Sequence, residues 1–299
     1  MVGGLDHNAK CGCPPDFKDG RSFTTYMRYQ PNYEWNEVVA VDVNGKAVFE
    51  GDIVLGDTPT LRSLATAIKS LGGAGAVNRK LREVGAKEFS KGKAASPESR
   101  SASSLLLKIQ GHRDAVQPWT AHRVAYDLSG ISDRFFKIAL EDAMRDWEKQ
   151  TQLRFAPRTG TDTRFIRFQA RSAGDDSCYW DGTKGVAIVD IDCSRHEIGH
   201  AIGLLHEHTR SDRDQNVKIN INNIETAHCL QFLMNKLPGA LCGPYDFSSV
   251  MHYPAQAFSC NKKATIEARA PHLLTYNPLI VSAGDYRTAN VIDGVGTCQ

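Results

Sequence analysis

The alternation of apolar and polar positions is clearest in WNEVVAVDVNGKAVFEGDIVLG (35–56), where two alternating runs flank Asn44-Gly45. That dipeptide favours the left-handed backbone of a two-residue hairpin turn, so the stretch predicts a β-hairpin. Leu61, Leu64, Ala65 and Ile68 then recur at helical spacing and predict a helix over 60–72. Further on, Phe136, Leu140, Met144 and Trp147 form one apolar helical face behind Ser132 as a cap, ending near Thr151. LRFAPR (153–158), RFIRFQA (164–170) and GVAIVDID (185–192) have strand character. A helix and several strands before residue 194, with no internal repeat, predict an α+β or mixed layout.

Two stretches lack periodicity. Residues 1–35 are rich in Pro, Asp, Gly and aromatics. REVGAKEFSKGKAASPESRSASS (82–104) is polar, basic and rich in Ser and Ala, with little to bury, and reads as an exposed linker or processing region. From about residue 118 the composition becomes globular.

Composition narrows the functions. With 36 basic and 34 acidic residues the net charge is +2, which gives no reason to invoke nucleic acid or an anionic membrane. No apolar run is long enough to cross a bilayer. The stretch MVGGLDHNAKCGCPPDF (1–17) has no apolar signal core, which on its own predicts an intracellular or already trimmed chain. The eight cysteines point the other way, to disulfides and an oxidising, extracellular setting, and they weigh more. Six lie after residue 170, and Cys11 and Cys13 are too close to pair with each other without strain.

The chemistry concentrates in HEIGHAIGLLHEH (196–208), which holds four of the 10 histidines. On a helix over 194–203, His196 and His200 lie one turn apart on one face and bring two imidazoles to one tetrahedral ion. Glu197 sits beside the first ligand, placed to hold a water rather than the metal. Gly203 can take the left-handed conformation that ends a helix, turning the chain so that His206 returns as a third ligand. Three protein ligands leave room for water, which is the catalytic arrangement for Zn²⁺. Chance would produce these five residues at these offsets in about 5 of 100,000 chains of this composition, so a decorative polar helix is a poor competitor. One zinc ion is the expected cofactor, and hydrolysis of a peptide bond the expected reaction class.

HExxHxxGxxH is the metzincin signature, and SSVMHYP (248–254) supplies the Met-turn that should follow it, with Met251 beneath the metal. HEHTRSDRDQNVKININNI (206–224), PYDFSSVMHY (244–253) and AMRDWEKQTQLRFAPR (143–158) resemble the astacin family within that clan, over about residues 118–294. The resemblance implies a two-lobed catalytic domain: an upper lobe with a mixed sheet and two long helices, an irregular lower lobe, and a horizontal cleft between them. It implies Tyr253 as a further zinc ligand that swings away to stabilise the oxyanion, and Glu207 as a buried carboxylate that meets the new N-terminus after activation. FEGDIVLG (49–56) is similar to the F-x-G-D motif of astacin pro-segments. By that likeness Asp52 is the latency ligand on the metal, Phe49 its anchor and Gly51 the permissive turn. The likeness places the mature N-terminus near residues 105–112, which divides the chain into a latency pro-segment over 1–112, with the exposed linker at about 82–110, and a catalytic domain over 113–299. It also implies a Cys178–Cys193 disulfide and an edge strand for extended substrates near Cys178-Tyr179-Trp180. The first-helix cysteine of the family is replaced by Gln152, leaving Cys298 without its usual partner; Cys229–Cys242 and Cys260–Cys298 are the pairs expected for the rest.

The leading expectation is a secreted zinc endopeptidase made as a zymogen, acting on protein or peptide substrates. A zinc amidase acting on non-protein amides is a second reading, which the Met-turn and Tyr253 disfavour. A catalytically inactive, zinc-stabilised binding module is a third. Glu197 argues against it, since structure needs ligands but no general base.

Overall fold

In the computed structural model, residues 10–14, 21–29, 34–87, 119–172, 178–235, 237 and 242–298 are described. The N-terminal part contributes four strands, β1 (Ser22–Tyr29), β2 (Glu34–Val43), β3 (Lys46–Phe49) and β4 (Ile53–Asp57), joined as antiparallel neighbours. The predicted turn at Asn44-Gly45 joins β2 to β3, and both residues have positive φ, of 50° and 79°. Two helices cover this sheet, α1 (Thr58–Ser70) and α2 (Ala74–Lys87). Helix α1 buries Leu61, Leu64, Ala65 and Ile68, the stripe read from the sequence. Asn78 of α2 ties the layers together: its side-chain oxygen accepts from Trp35 N at 2.9 Å and its amide donates to Trp35 O at 3.0 Å.

Strand β1 was not foreseen, because SFTTYMRY does not alternate strictly between apolar and polar; among its described side chains Phe23, Tyr26 and Met27 are buried. Helix α2 reaches Lys87, into the first residues of the stretch read as linker. The remainder of that linker lies outside the described residues.

The second part adds β5 (Arg123–Gly130), α3 (Arg134–Glu148), β6 (Arg154–Pro157), β7 (Ile166–Ala170), β8 (Tyr179–Asp181), β9 (Val186–Val189) and α4 (Ser194–Ala201). Its strands run in the order β8-β9-β7-β5-β6, with β8 antiparallel to β9 and the rest parallel. Asp133, not Ser132, caps α3, its carboxylate accepting from Phe136 N at 2.7 Å. The cap moves one residue because Asp133 then bonds the third amide of the helix, which a cap three residues ahead of it must do.

The two sheets are one. Strand β4 lies parallel to β8, Ile53 opposite Trp180, so the nine strands are continuous and the N-terminal part occupies the free edge of the second. This is the edge expected near Cys178-Tyr179-Trp180. Below it lies the irregular lobe: α5 (Arg213–Asn216), β10 (Val217–Ile219) paired with β11 (Ile266–Ala268), and several 3₁₀ turns around Val217, Ile224, Phe232, Tyr245 and Ile266. Helix α6 (Ala283–Ile292) returns to the upper core, capped by Ser282 and Asp285 in a reciprocal box. Of the two upper-lobe helices, α3 is long and α4 only eight residues.

The disulfides correct the expected pairing. Cys178–Cys193 forms as expected, but Cys229 pairs with Cys13, Cys260 with Cys11, and Cys242 with Cys298. The expectation failed because it paired cysteines near each other in sequence. The two N-terminal cysteines instead reach the lower lobe.

Trp147 is the pivot of the upper core. It is fully buried, meets Tyr286 edge-on with centroids 6.3 Å apart, and donates its indole N–H to Arg195 O at 3.0 Å. Arg195 also reaches back to Asp146, its Nε 2.7 Å from Oδ2. Replacing Trp147 by Ala should lower unfolding stability by about 3–5 kcal/mol, the range for truncating a buried aromatic. Urea unfolding of the full chain measures it; a loss under about 1 kcal/mol would show that α3 and α4 are held otherwise.

Candidate metal centre

Helix α4 carries His196, Glu197 and His200, all buried. It ends at Ala201 with Ile202 as its C-cap, and Gly203 at φ 111° turns the chain as its position in the motif required. Leu204 N then donates to Gly199 O at 2.9 Å, and the chain doubles back to deliver His206. The three Nε2 atoms converge: His196 lies 3.0 Å from His206 and 3.1 Å from His200. Asp52 closes the group, its carboxylate 3.1 Å from His206 Nε2, 3.4 Å from His200 and 3.5 Å from His196.

The tautomers are set by the partners behind. Nδ1 of His196 is 2.8 Å from Val250 O and Nδ1 of His200 is 2.9 Å from Leu204 O. A carbonyl only accepts, so each Nδ1 carries the proton and each Nε2 presents a bare lone pair. Bare lone pairs about 3 Å apart, with a carboxylate against them, repel unless a cation lies between them. A tetrahedral zinc with bonds of about 2.0–2.1 Å separates its ligand atoms by about 3.3–3.4 Å, close to the spacing here. Both oxygens of Asp52 and both of Glu197 are buried without a hydrogen-bond partner among the described residues. Buried, unsatisfied carboxylates are rare and mark a site built for a missing charge or polar group. The donor set fits zinc.

The electrostatics divide the cluster. Burial opposes ionisation of Asp52, but His206 and His200 outweigh it and hold its carboxyl well below the usual range. Burial pushes Glu197 well above its ordinary value, with Asp52 and Asp190 adding to the effect. Burial also lowers His196, to about 4. For His206 burial acts in the same sense, but the carboxylates of Asp52 and Glu50 overcome it and raise the group to about 9.

The Met-turn packs under this site. Met251 is buried, and its carbonyl accepts from Glu207 N at 3.1 Å. Asp285 of α6 fixes the turn, accepting from Val250 N at 2.9 Å and Ser249 Oγ at 2.6 Å. Tyr253 is buried, stacks on His208 with centroids 4.0 Å apart, and donates its hydroxyl to Glu50 O at 3.3 Å. Burial raises its hydroxyl well above the usual range. Glu207 accepts from Asp246 N at 2.8 Å and lies 3.2 Å from Arg210 Nη1; burial pushes it up to about 8. A cavity of about 20 Å³, lined in part by Glu207, Arg210, Asp246 and Gly284, lies beside it, with room for one water or ammonium group.

The loop of FEGD comes down onto the cluster from the edge strand. Trp180 N of β8 donates to Asp52 O at 2.9 Å, which fixes the backbone from which the carboxylate reaches the histidines. Glu50 and Gly51 both take positive φ, 53° and 97°, to make that turn, and a Cβ at Gly51 would sit 2.3 Å from Gln231 Cγ. Phe49 is buried in the main core. Sequence reasoning passed over Glu50. Its carboxylate accepts from Thr209 Oγ1 at 2.6 Å, Asn235 Nδ2 at 2.7 Å and His206 N at 3.0 Å. Only its burial beside a charged turn signals this, and burial was not readable there.

Comparison with known proteins points to the family that the sequence resembles. The family profile described as Astacin, a peptidase family, matches residues 111–291, more than half of the chain. The chain belongs to the astacin family. Low choriolytic enzyme of Oryzias latipes is 32% identical over 189 residues, 60% of this chain and 68% of that protein. Zinc metalloproteinase nas-13 of Caenorhabditis elegans is 34% identical over 180 residues, 55% of this chain and 39% of that protein. Human Tolloid-like protein 2 is 30% identical over 213 residues, 68% of this chain but 20% of its own length. The chain thus spans well under half the length of several curated relatives it matches. The solved structure of High choriolytic enzyme 1, a hatching enzyme zinc-protease from Oryzias latipes, superposes with a TM-score of 0.51 at 27% identity, covering 60% of this chain and 93% of that one.

Gly199, one of the two unspecified positions inside HExxH, is also constrained in this astacin-family site. A Cβ there would meet Met251 Sδ at 2.4 Å and Trp147 Cζ2 at 3.2 Å. Gly199→Ala should therefore lower stability by about 1–3 kcal/mol through overpacking, although Ala is the better helix former. Thermal unfolding measures it, and an unchanged or raised Tm would mean the Met-turn yields freely.

Proposed function

We propose that this chain is a zinc-dependent endopeptidase made as a zymogen, and that Asp52 is the ligand that keeps it silent. The observation that carries this reading is the convergence of three histidine Nε2 atoms and the Asp52 carboxylate beside an unpartnered Glu197. His196, His200 and His206 would hold the ion, with Asp52 as fourth ligand in the precursor. In the mature enzyme Tyr253 would join the resting ligand set. Zinc, when bound, supplies Lewis-acid polarisation of a carbonyl and lowers the pKa of water at neutral pH.

The chain's own residues supply the rest. Glu197, acting as its ionised carboxylate, accepts the proton of the attacking water and passes it to the leaving amine; burial makes that carboxylate a stronger base than one in water. The Tyr253 hydroxyl, already donating to a main-chain carbonyl of the N-terminal part, donates to the substrate's carbonyl oxygen as charge builds on it. The β8 edge, freed of β4, would pair with an extended peptide by main-chain hydrogen bonds. Residues 1–112 form the pro-segment and 113–299 the catalytic domain. After activation, the small cavity beside Glu207 would receive the new N-terminal ammonium, near residues 105–112. The four disulfides support an extracellular setting, and no described helix is long and apolar enough to cross a membrane. Protein or peptide substrates follow from the family; neither nucleic acid nor membrane enters this reading.

Glu197→Gln should retain zinc while activity on casein falls at least a thousandfold after removal of the pro-segment. Wild-type cleavage by that variant would remove Glu197 from the chemistry. Retained zinc without cleavage by the wild-type protein would favour a binding module, and chelator-sensitive cleavage of only non-protein amides would favour an amidase. Asp52→Ala should give a precursor that cleaves a quenched peptide before any processing. A precursor as silent as wild type would show that latency resides elsewhere.

A further inference from the structure

Cys11 and Cys13 lie in the N-terminal part, yet both are bonded to the lower lobe, to Cys260 and Cys229. The backbone between them is bound there as well. Gly12 N donates to Ile224 O at 2.8 Å and Cys13 N to Ile221 O at 3.2 Å, while Thr226 N donates to Lys10 O at 2.8 Å. Cys11 forms an antiparallel bridge with Glu225. Residues 10–14 thus behave as a short strap of the lower lobe, whereas the four strands and two helices that carry Asp52 begin at Ser22.

This topology constrains activation, and the inference rests on the latency reading above. A cut between Lys87 and Trp119 frees one end of the pro-segment only. Its other end stays joined, through Cys13, to the domain it inhibits. A tether of about nine residues spans at most about 30 Å and keeps the inhibitor at an effective concentration on the order of millimolar. Rebinding would then be intramolecular and the cut protein would remain latent. We propose that release takes two hydrolyses of main-chain amides, one between Lys87 and Trp119 and one between Cys13 and Ser22. The mature enzyme then keeps residues 10–14 as a separate, disulfide-linked peptide.

The full chain with a recognition sequence for an unrelated site-specific protease placed between residues 88 and 118 tests this, alongside a second form with an additional site between Cys13 and Ser22. After the single cut, the two fragments should run as one species without reductant and as two with it. Hydrolysis of a quenched peptide should be at least tenfold below that of the doubly cut form. The doubly cut form should shed the pro-segment without reductant, and its intact mass should include the strap. C11S/C13S/C229S/C260S, cut once, should shed the whole N-terminal fragment. Shedding by the singly cut wild-type chain without reductant, or activity equal to that of the doubly cut form, would overturn the proposal. An uncut precursor as active as the doubly cut form would instead refute latency by Asp52, while the intact masses would still decide whether the strap is retained.

Discussion

Two imidazoles whose outer nitrogens are committed to backbone carbonyls must point their lone pairs at each other, and His206 joins them between the carboxylates of Asp52 and Glu50. His196 is tied to Val250 and His200 to Leu204, and the His196 and His206 Nε2 atoms meet at 3.0 Å. In a low-dielectric interior that arrangement is unfavourable by itself, and a cation turns the same geometry into a stabilising one. Much of the surrounding structure maintains it. Gly203 turns the chain, Gly199 leaves room for Met251, and Asp285 fixes the turn whose carbonyl at Val250 orients the first histidine. The supporting shell is therefore spread over α4, the Met-turn and α6, which are far apart in sequence.

The N-terminal part uses the same site from the opposite side. It adds strand β4 to the free sheet edge, lowers Asp52 onto the histidines, and inserts Glu50 between His206, Thr209 and Asn235. On the proposed reading β4 takes the edge an extended peptide would use, and Asp52 the position of the attacking water. Inhibition on the proposed reading is then steric and electrostatic at once, and it is spread over main chain and side chains rather than resting on one carboxylate.

How much of this was legible in the sequence depends on the range of the interaction. His196 and His200 were readable because a helix puts i and i+4 on one face, and His206 because glycine ends helices. The hairpin at Asn44-Gly45 and the stripes of α1 and α3 are likewise local. Strand β1 was missed because a covered edge strand with polar side chains has no strong alternation. Ser132 was preferred to Asp133 because the two differ only in register. The grip of Glu50 and the pairing of Cys11 and Cys13 with Cys260 and Cys229 depend on how distant segments meet, which no local pattern encodes. The astacin family model matches residues 111–291, so it leaves the strap and β1 to be read from the fold.

The most direct measurement is the zinc content of the purified, fully oxidised chain by elemental analysis, beside a form with His196, His200 and His206 all replaced by alanine. One ion per wild-type molecule and none in the triple variant is the expected result. A correctly folded wild-type chain without stoichiometric metal, or a triple variant that keeps it, would contradict the account.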